Sequence, residues 1–290
     1  MIETFTERNN LYGKRSEKMK KFFRTYWPFS LNELKSQLAY RGAFYLFILT
    51  SLFGSFISYF LWMAIYGSAE GNTLGNLSQN EMVVYIFMVY VTTSIVSISI
   101  SDWIGDDVVD GIVAMNLIKP IDYRMSLIFR ALGNSIHRFI SPAVFVWIGL
   151  ELVKVFYFHM EVTPLSRILA YIVSCIMSFM IFLLFDFCFG MISFYTTYIF
   201  GLQMAKDALM GFLTGQLIPL TFFPEAIRQF LEFLPFSSMI YTPVMVYLGK
   251  YSNAELLFEL GKQGFWMIFL YLMGSIIWKQ ITKRLVVLGG

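Results

Sequence analysis

Apolar positions along the chain fall into long uninterrupted runs instead of alternating with polar ones. Residues 42–69 carry no charge, and neither do residues 82–101. A helix needs about 20 consecutive apolar residues to cross a bilayer. Runs of that length predict six spans, at about 43–66, 82–101, 131–156, 165–191, 201–220 and 262–281. The third is the least regular, because it takes in His137, Arg138, Glu151 and Lys154, and the fourth contains Asp186.

Local chemistry marks several helix starts. Ser78 with Glu81, and Ser252 with Glu255, are Ser-x-x-Glu capping boxes, with Leu77/Met82 and Tyr251/Leu256 as hydrophobic staples. Thr163 followed by Pro164 reads as an N-cap and a first helical residue. Two further segments suit the membrane surface. Residues 18–42 predict an amphipathic interfacial helix broken at Pro28. Phe22, Phe23, Tyr26 and Trp27 share one face, and a second piece is capped by Ser30 and Glu33. Residues 1–17 form a polar tail before it. Within residues 222–250, Pro224 and Pro235 bracket a short helix whose Ile227, Phe230, Leu231 and Leu234 form one apolar face.

Composition agrees with lipid as the solvent. Of the 290 residues, 57% are apolar and only 14% charged, and mean hydropathy is +0.63. A water-soluble domain cannot hide that much apolar surface. Net charge is only +3, too small and too scattered for a nucleic-acid surface. Cys175 and Cys188 lie about 20 Å apart on one helix, too far for a disulfide. Residues 1–24 are polar and basic and do not read as a signal peptide. Positive charge orients the chain. With six spans and both termini in the cytoplasm, 17 of the 22 Lys and Arg lie inside, nine of them before residue 43. The predicted fold is therefore all-α, a polytopic integral membrane protein with cytoplasmic N and C termini.

The stretch Ser101–Tyr123 is the most informative. On a continuous helix, Ile104, Val108, Val109 and Ile112 cover one arc, and Asp106, Asp107 and Asp110 another. A cytosolic acidic stripe is repelled by anionic lipid and suits a basic protein partner; charge runs are also commonly no more than a solvated face. Lys119 and Pro120 end the helix.

Gly111, the run Leu117-Ile118-Lys119-Pro120 and Tyr123 resemble the loop of ABC-2-type exporter permeases, the membrane subunits of ATP-binding-cassette (ABC) transporters. Tyr40-Arg41, Gly215, Ile218-Pro219-Leu220, Phe223-Pro224, Leu234-Pro235-Phe236 and Pro243 follow in the order of that family. The resemblance spans nearly the whole chain from about residue 18. It implies a permease that works beside a second permease, of the same or a different chain, above two copies of an ABC ATPase subunit. Residues 102–120 would be the ATPase-coupling segment, with Asp102, Ile104, Asp106, Asp107, Val109, Asp110, Gly111, Leu117, Lys119 and Pro120 as its contact residues. It further implies export across a bacterial cell membrane, and the aromatic- and Met-rich composition suits a hydrophobic or amphipathic substrate (peptide, antibiotic or lipid-like), although such residues are more often ordinary packing or lipid-facing ones. The chain itself carries no Gly-x-x-x-x-Gly-Lys-Ser/Thr phosphate loop, so no cofactor is expected on it; ATP and Mg belong to the partner.

Asp186 is costly at membrane depth unless paired, and Arg138 and Lys206 are its candidate partners in an intramembrane ion pair. An ion-gradient-driven transporter or channel is the alternative function, although no internal repeat supports it. An intramembrane enzyme is weaker still. Ser135 and His137 are two residues apart and face different sides of a helix, and neither catalytic nor metal-ligating residues are predicted.

Overall fold

A computed structural model describes the backbone of residues 2–39, 41–69, 73–196 and 199–288. Side chains 1–16, 40, 41, 43–45, 47, 51, 70–72, 117, 141, 197, 198 and 284–290 lie outside the described set. The chain is almost entirely α-helical. In order run α1 (Ile2–Ala39), α2 (Arg41–Ser68), α3 (Gln79–Val96), α4 (Ile100–Val109), α5 (Ile112–Leu117) and α6 (Tyr123–Arg138). Then follow α7 (Val144–Phe156), α8 (Leu165–Gly190), α9 (Phe200–Leu213), α10 (Glu225–Phe233), α11 (Tyr241–Leu248) and α12 (Asn253–Leu288). The small exception to all-α is an antiparallel pair, β1 (Thr73–Leu74) and β2 (Leu77–Ser78). Its turn residues Gly75 and Asn76 have φ of 54° and 63°, as a two-residue hairpin requires.

Among the described residues, four helical stretches are long and apolar enough to cross a membrane: Ile48–Ser68, Gln79–Val109, Leu165–Phe194 and Asn253–Lys283. Two of the six predicted spans take other forms. The third is α6 and α7 joined through a π-helical turn, Phe139–Ala143, that contains Pro142. A proline withholds one N–H from the ladder, and a π turn absorbs the mismatch. The fifth is α9, which at 14 residues rises only about 21 Å. Beyond it the chain doubles back through Gly215, whose φ is 78°. Tyr85 Oη donates to the Gly215 carbonyl and fastens this turn to α3.

The core is built on α3 and α8. The helix α3 buries residues all round, including Tyr85, Met88 and Val91, and α8 buries Tyr171, Ile181 and Leu183 while leaving Ile172, Val173 and Ile176 exposed. The helix α12 lies along α8, where Gly274 brings its backbone close to Cys188 and Phe187. By contrast α2 buries little more than Trp62 and Tyr66 among its described side chains.

One predicted break is absent, and one unpredicted break is present. The helix α1 is continuous through Pro28 and joins the predicted tail and interfacial segment in one element. Ser30 and Glu33 do not cap a second piece, because both are engaged by α6. Nor is residues 101–123 a single helix. Asp110 closes α4, and Gly111, with φ of 71°, separates it from α5. The predicted apolar arc of Ile104, Val108, Val109 and Ile112 therefore does not exist as one face. Thr163 does not cap α8; Pro164 occupies the cap position, and the threonine hydroxyl is used elsewhere.

Candidate functional site

The root of the 102–120 segment is a buried charge cluster. Asp186, fully buried near the end of α8, lies 2.5 Å from Lys206 Nζ of α9. Ser101 donates its backbone N–H to Asp186 Oδ2 at 2.7 Å and its hydroxyl to Oδ1 at 3.0 Å. Lys206 also donates to Ser101 Oγ at 3.0 Å. The carboxylate thus sits at the first turn of α4, where free N–H groups and the helix dipole favour negative charge. Asp207, largely exposed, adds a second contact to Lys206 at 3.4 Å. Of the two partners predicted for Asp186, the structure brings in Lys206. Arg138 donates its Nη1 to the Ser97 carbonyl at 2.6 Å. Ser101 carries no mark in the sequence; it is one serine among several at the end of an apolar run. Gly190 completes the joint. A Cβ there would come within 2.8 Å of the Ile104 side chain and 3.0 Å of Ser101 Cα, so only glycine lets α4 lie this close to α8.

Beyond that root the predicted contact residues separate. Ile104 is fully buried, whereas Val109 is 64% exposed and Ile118 is 85% exposed. Asp107 accepts a hydrogen bond from Tyr123 Oη at 2.7 Å. Asp102, Asp106 and Asp110 border a cleft of about 260 Å³ shared with Ser193, Thr196 and Gln203. Lys119 is exposed and donates to Asn116, and Pro120 is exposed beside it. The Leu117 side chain is outside the described set. What this end presents is a helical elbow with apolar Val109, Met115 and Ile118 on its outside and carboxylates along one edge.

The helix α1 is clamped to α6 beside this elbow. Gly133 admits the α1 backbone so closely that a Cβ would strike the Ser30 carbonyl. Ser30 donates its hydroxyl to the Phe129 carbonyl, and Tyr26 stacks on the Phe129 ring at 5.7 Å. Glu33 pairs with Arg130 at 2.9 Å. The Arg130 guanidinium also lies 4.1 Å above the Trp103 ring, so one side chain links α1, α6 and α4. Tyr26 accepts the Asp122 N–H at 2.9 Å. Asp122 caps α6 by accepting from Arg124 N and Met125 N. Burial alone would raise its pKa, but the Arg124 guanidinium and those N–H groups hold it below the ordinary value. Tyr123 stacks on Trp278 of α12 at 5.5 Å.

A second charge cluster lies at the far end of α7. Lys154 donates to Glu151 at 3.0 Å and to Thr163 Oγ1 at 2.5 Å, and Thr163 donates to Glu151 at 2.7 Å. Tyr247 of α11 also donates to Glu151 and accepts from the Trp147 indole at 3.2 Å. Among the described residues no group of His, Cys, Asp and Glu is placed to hold a metal ion.

Four helices long and apolar enough to cross a membrane, with a helical elbow rooted in a buried charge cluster, define a multi-pass membrane protein. The family model described as "ABC-2 family transporter protein" matches residues 52–289, and the chain belongs to that family. It is accordingly a membrane permease of an ABC transporter, a transport component and not an enzyme, of a family that partners an ABC ATPase subunit. No curated protein matches the chain.

Proposed function

We propose that this chain is the membrane-spanning half of an ATP-driven exporter. In this reading the 102–120 elbow is the coupling segment that rests on a separate ATPase subunit. The carrying observation is the rooting of α4: Ser101 is tied to Asp186 of α8 and Lys206 of α9, so a push on the elbow reaches two other membrane helices directly. The apolar Val109, Met115 and Ile118 and the acidic Asp106 and Asp110, all exposed, form a surface suited to a protein groove with basic rims.

Both termini are cytoplasmic in this proposal, in keeping with the Lys and Arg concentrated before residue 43. Six crossings then arise from the four long helices, the bent α6–α7 unit, and α9 with its return through Gly215. The amphipathic α10, with exposed Ile227, Phe230 and Phe233, lies at the outer surface. Two permeases pair, and a hydrophobic or amphipathic substrate leaves along a path beside α3 and the α9 return. ATP binding closes the ATPase pair, and the elbow transmits that closure as a tilt of α8 and α9.

The test is a tagged pull-down from native membranes in mild detergent, with mass spectrometry of the bound proteins. Recovery of a subunit carrying a phosphate-binding loop, lost when Val109 and Ile118 are both changed to Asp, supports the reading. Repeated recovery of this chain without any ATPase overturns it and favours an ion-driven transporter.

A further inference from the structure

The helix α1 has two working faces, and only one of them is covered by α6. Phe22, Tyr26, Ser30 and Glu33 meet α6. By helical spacing, Phe23, Trp27, Leu31, Leu34 and Leu38 form a second face about a quarter-turn away. Phe23, Trp27, Leu31 and Leu38 are each 42–54% exposed, high for large apolar side chains in a protein with so much buried core. Past this stripe, on the side turned from α6, come Lys21, Arg24 and Lys35, all exposed. Their only acidic neighbours between residues 17 and 39 are Glu17 and Glu33. Glu33 is buried and paired with Arg130. Among the described residues no ion pair engages Lys21, Arg24 or Lys35.

Three observations say what covers this face. The helix ends at Ala39, and α2 begins at Arg41 with a stretch long and apolar enough to cross a membrane, so the stripe is held close to where the chain enters the bilayer. An apolar and aromatic stripe bordered by Lys and Arg is the pattern of a helix that lies in the headgroup boundary, its apolar side chains in the upper acyl region. Charge then separates a lipid surface from a protein one. The exposed Asp106 and Asp110 of the elbow suit a partner with basic rims, and such a surface repels Lys21, Arg24 and Lys35. A surface of phosphates attracts them.

We propose that this face of α1 docks on the cytoplasmic leaflet and selects anionic phospholipids. Phe23, Trp27 and Leu31 enter the acyl boundary, and Lys21, Arg24 and Lys35 meet the headgroup phosphates. The inference rests on the permease reading for the side of the membrane and for the charge of the competing partner. Its reach goes beyond anchoring. Glu33 holds Arg130, and Arg130 lies over Trp103 of α4, so the lipid-bound helix stands one side chain from the elbow.

Trp27 is itself the reporter. The tagged transporter, purified with whatever ATPase accompanies it, is placed in phosphatidylcholine nanodiscs that contain a small fixed fraction of quencher lipid. The quencher is brominated near the top of one acyl chain and is either phosphatidylglycerol or phosphatidylcholine. The Trp27 signal is the quenching of the unaltered protein less that of Trp27→Phe, which cancels the other indoles. Brominated phosphatidylglycerol should reach Trp27 with an apparent affinity about tenfold or more above that of the phosphatidylcholine, since each basic residue near an anionic surface contributes about fivefold. High salt should reduce the preference, because exposed charges are screened. Lys21→Gln, Arg24→Gln and Lys35→Gln together should abolish it while Trp27 stays quenched by both lipids. All three side chains are exposed, and an unchanged thermal midpoint verifies that the variant is folded.

Equal quenching by the two lipids overturns the proposal, as does a preference that survives the triple variant. A Trp27 that neither lipid quenches overturns it too, and shows that a protein covers the stripe. The permease reading fails separately. Absence of an ATPase from the purified material, with the lipid preference intact, counts against coupling and leaves the docking face standing. An ATPase present without any lipid preference counts against this inference alone.

Discussion

The two buried charge clusters have similar chemistry and different reach. Glu151 and Lys154 are neighbours on one turn of α7, and Thr163 and Tyr247 close around them. Asp186 and Lys206 come from different helices and hold the first turn of a third. The first cluster ties the end of α7 to Thr163 just before α8 and to Tyr247 of α11, with both of its charges on one helix. The second joins α4, α8 and α9 into a single joint, and its carboxylate is fully buried. Burying an ion pair does not by itself stabilise a protein, but removing one partner leaves the other uncompensated. The difference shows that a charge at membrane depth takes its meaning from the elements it connects.

Mutation can break this contrast. Asp186→Ala strands Lys206 and frees the start of α4, and should cost about 3–5 kcal/mol, the scale of a broken buried pair. Thermal unfolding of the detergent-solubilised protein should show it as a large fall in midpoint, with little assembled complex recovered. The pair Asp186→Asn with Lys206→Met should recover much of that loss, and a double-mutant cycle measures the coupling. If the double variant is no better than the worse single one, the tie to Ser101 matters more than charge balance. Gly190→Val should disturb the same joint without touching a charge, because its side chain meets Ile104 and Ser101. The expected cost is about 1–3 kcal/mol, as for other overpacked contacts. Its diagnostic is impaired ATPase co-purification with folding largely retained.

At the other cluster, Glu151→Gln should cost less, about 1–3 kcal/mol: it takes the counter-charge from the buried Lys154, but Lys154 keeps its bond to Thr163 and a glutamine oxygen can still accept a hydrogen bond. ATPase co-purification should be unchanged, and a loss equal to that of Asp186→Ala would erase the distinction. The smallest effect belongs to Asp122. Its pKa is lower in the folded protein than its ordinary value of 3.8, so its contribution is present above that value and lost as pH falls through the folded pKa. The group is partly exposed, and the effect should stay below about 1 kcal/mol. A stability titration from neutral pH to below 3.8 should lose that increment in the unaltered protein. Asp122→Asn should flatten it.

How far the sequence carried depended on whether the relevant partner was near in the chain. The capping boxes at Ser78/Glu81 and Ser252/Glu255 form as the spacing predicts, because every atom involved lies within three residues. Ser30 and Glu33 have the same spacing and make no box, because α6 supplies Phe129 and Arg130 as partners almost a hundred residues away. Pro28 fails to break α1 in the same setting, with α6 packed on both sides of the proline, against Phe22 and Tyr26 before it and Ser30 and Glu33 after it. Gly111 is legible as a flexible position, but its left-handed φ, and with it the division of the acidic segment into α4 and α5, follows from the fold. Hydropathy found α2 and α3 equally well and could not say that one is nearly bare and the other is core. The apolar stretch within α2 is only 6% buried, against 72% for that of α3 and α4. When lipid is the solvent, the face that packs and the face that does not have the same composition.

The contact between Gly133 and Ser30 has a mechanical consequence. Backbone rests on backbone there, with no compressible side chain between, so α1 and α6 move as one rail. Any displacement imposed on α1 near Tyr26 is carried along α6 with little loss. It arrives first at the π turn after Arg138, the place along α6 and α7 where the hydrogen-bond ladder is least regular and bending is easiest. Strain applied to α1 is thereby delivered to the junction of α6 and α7.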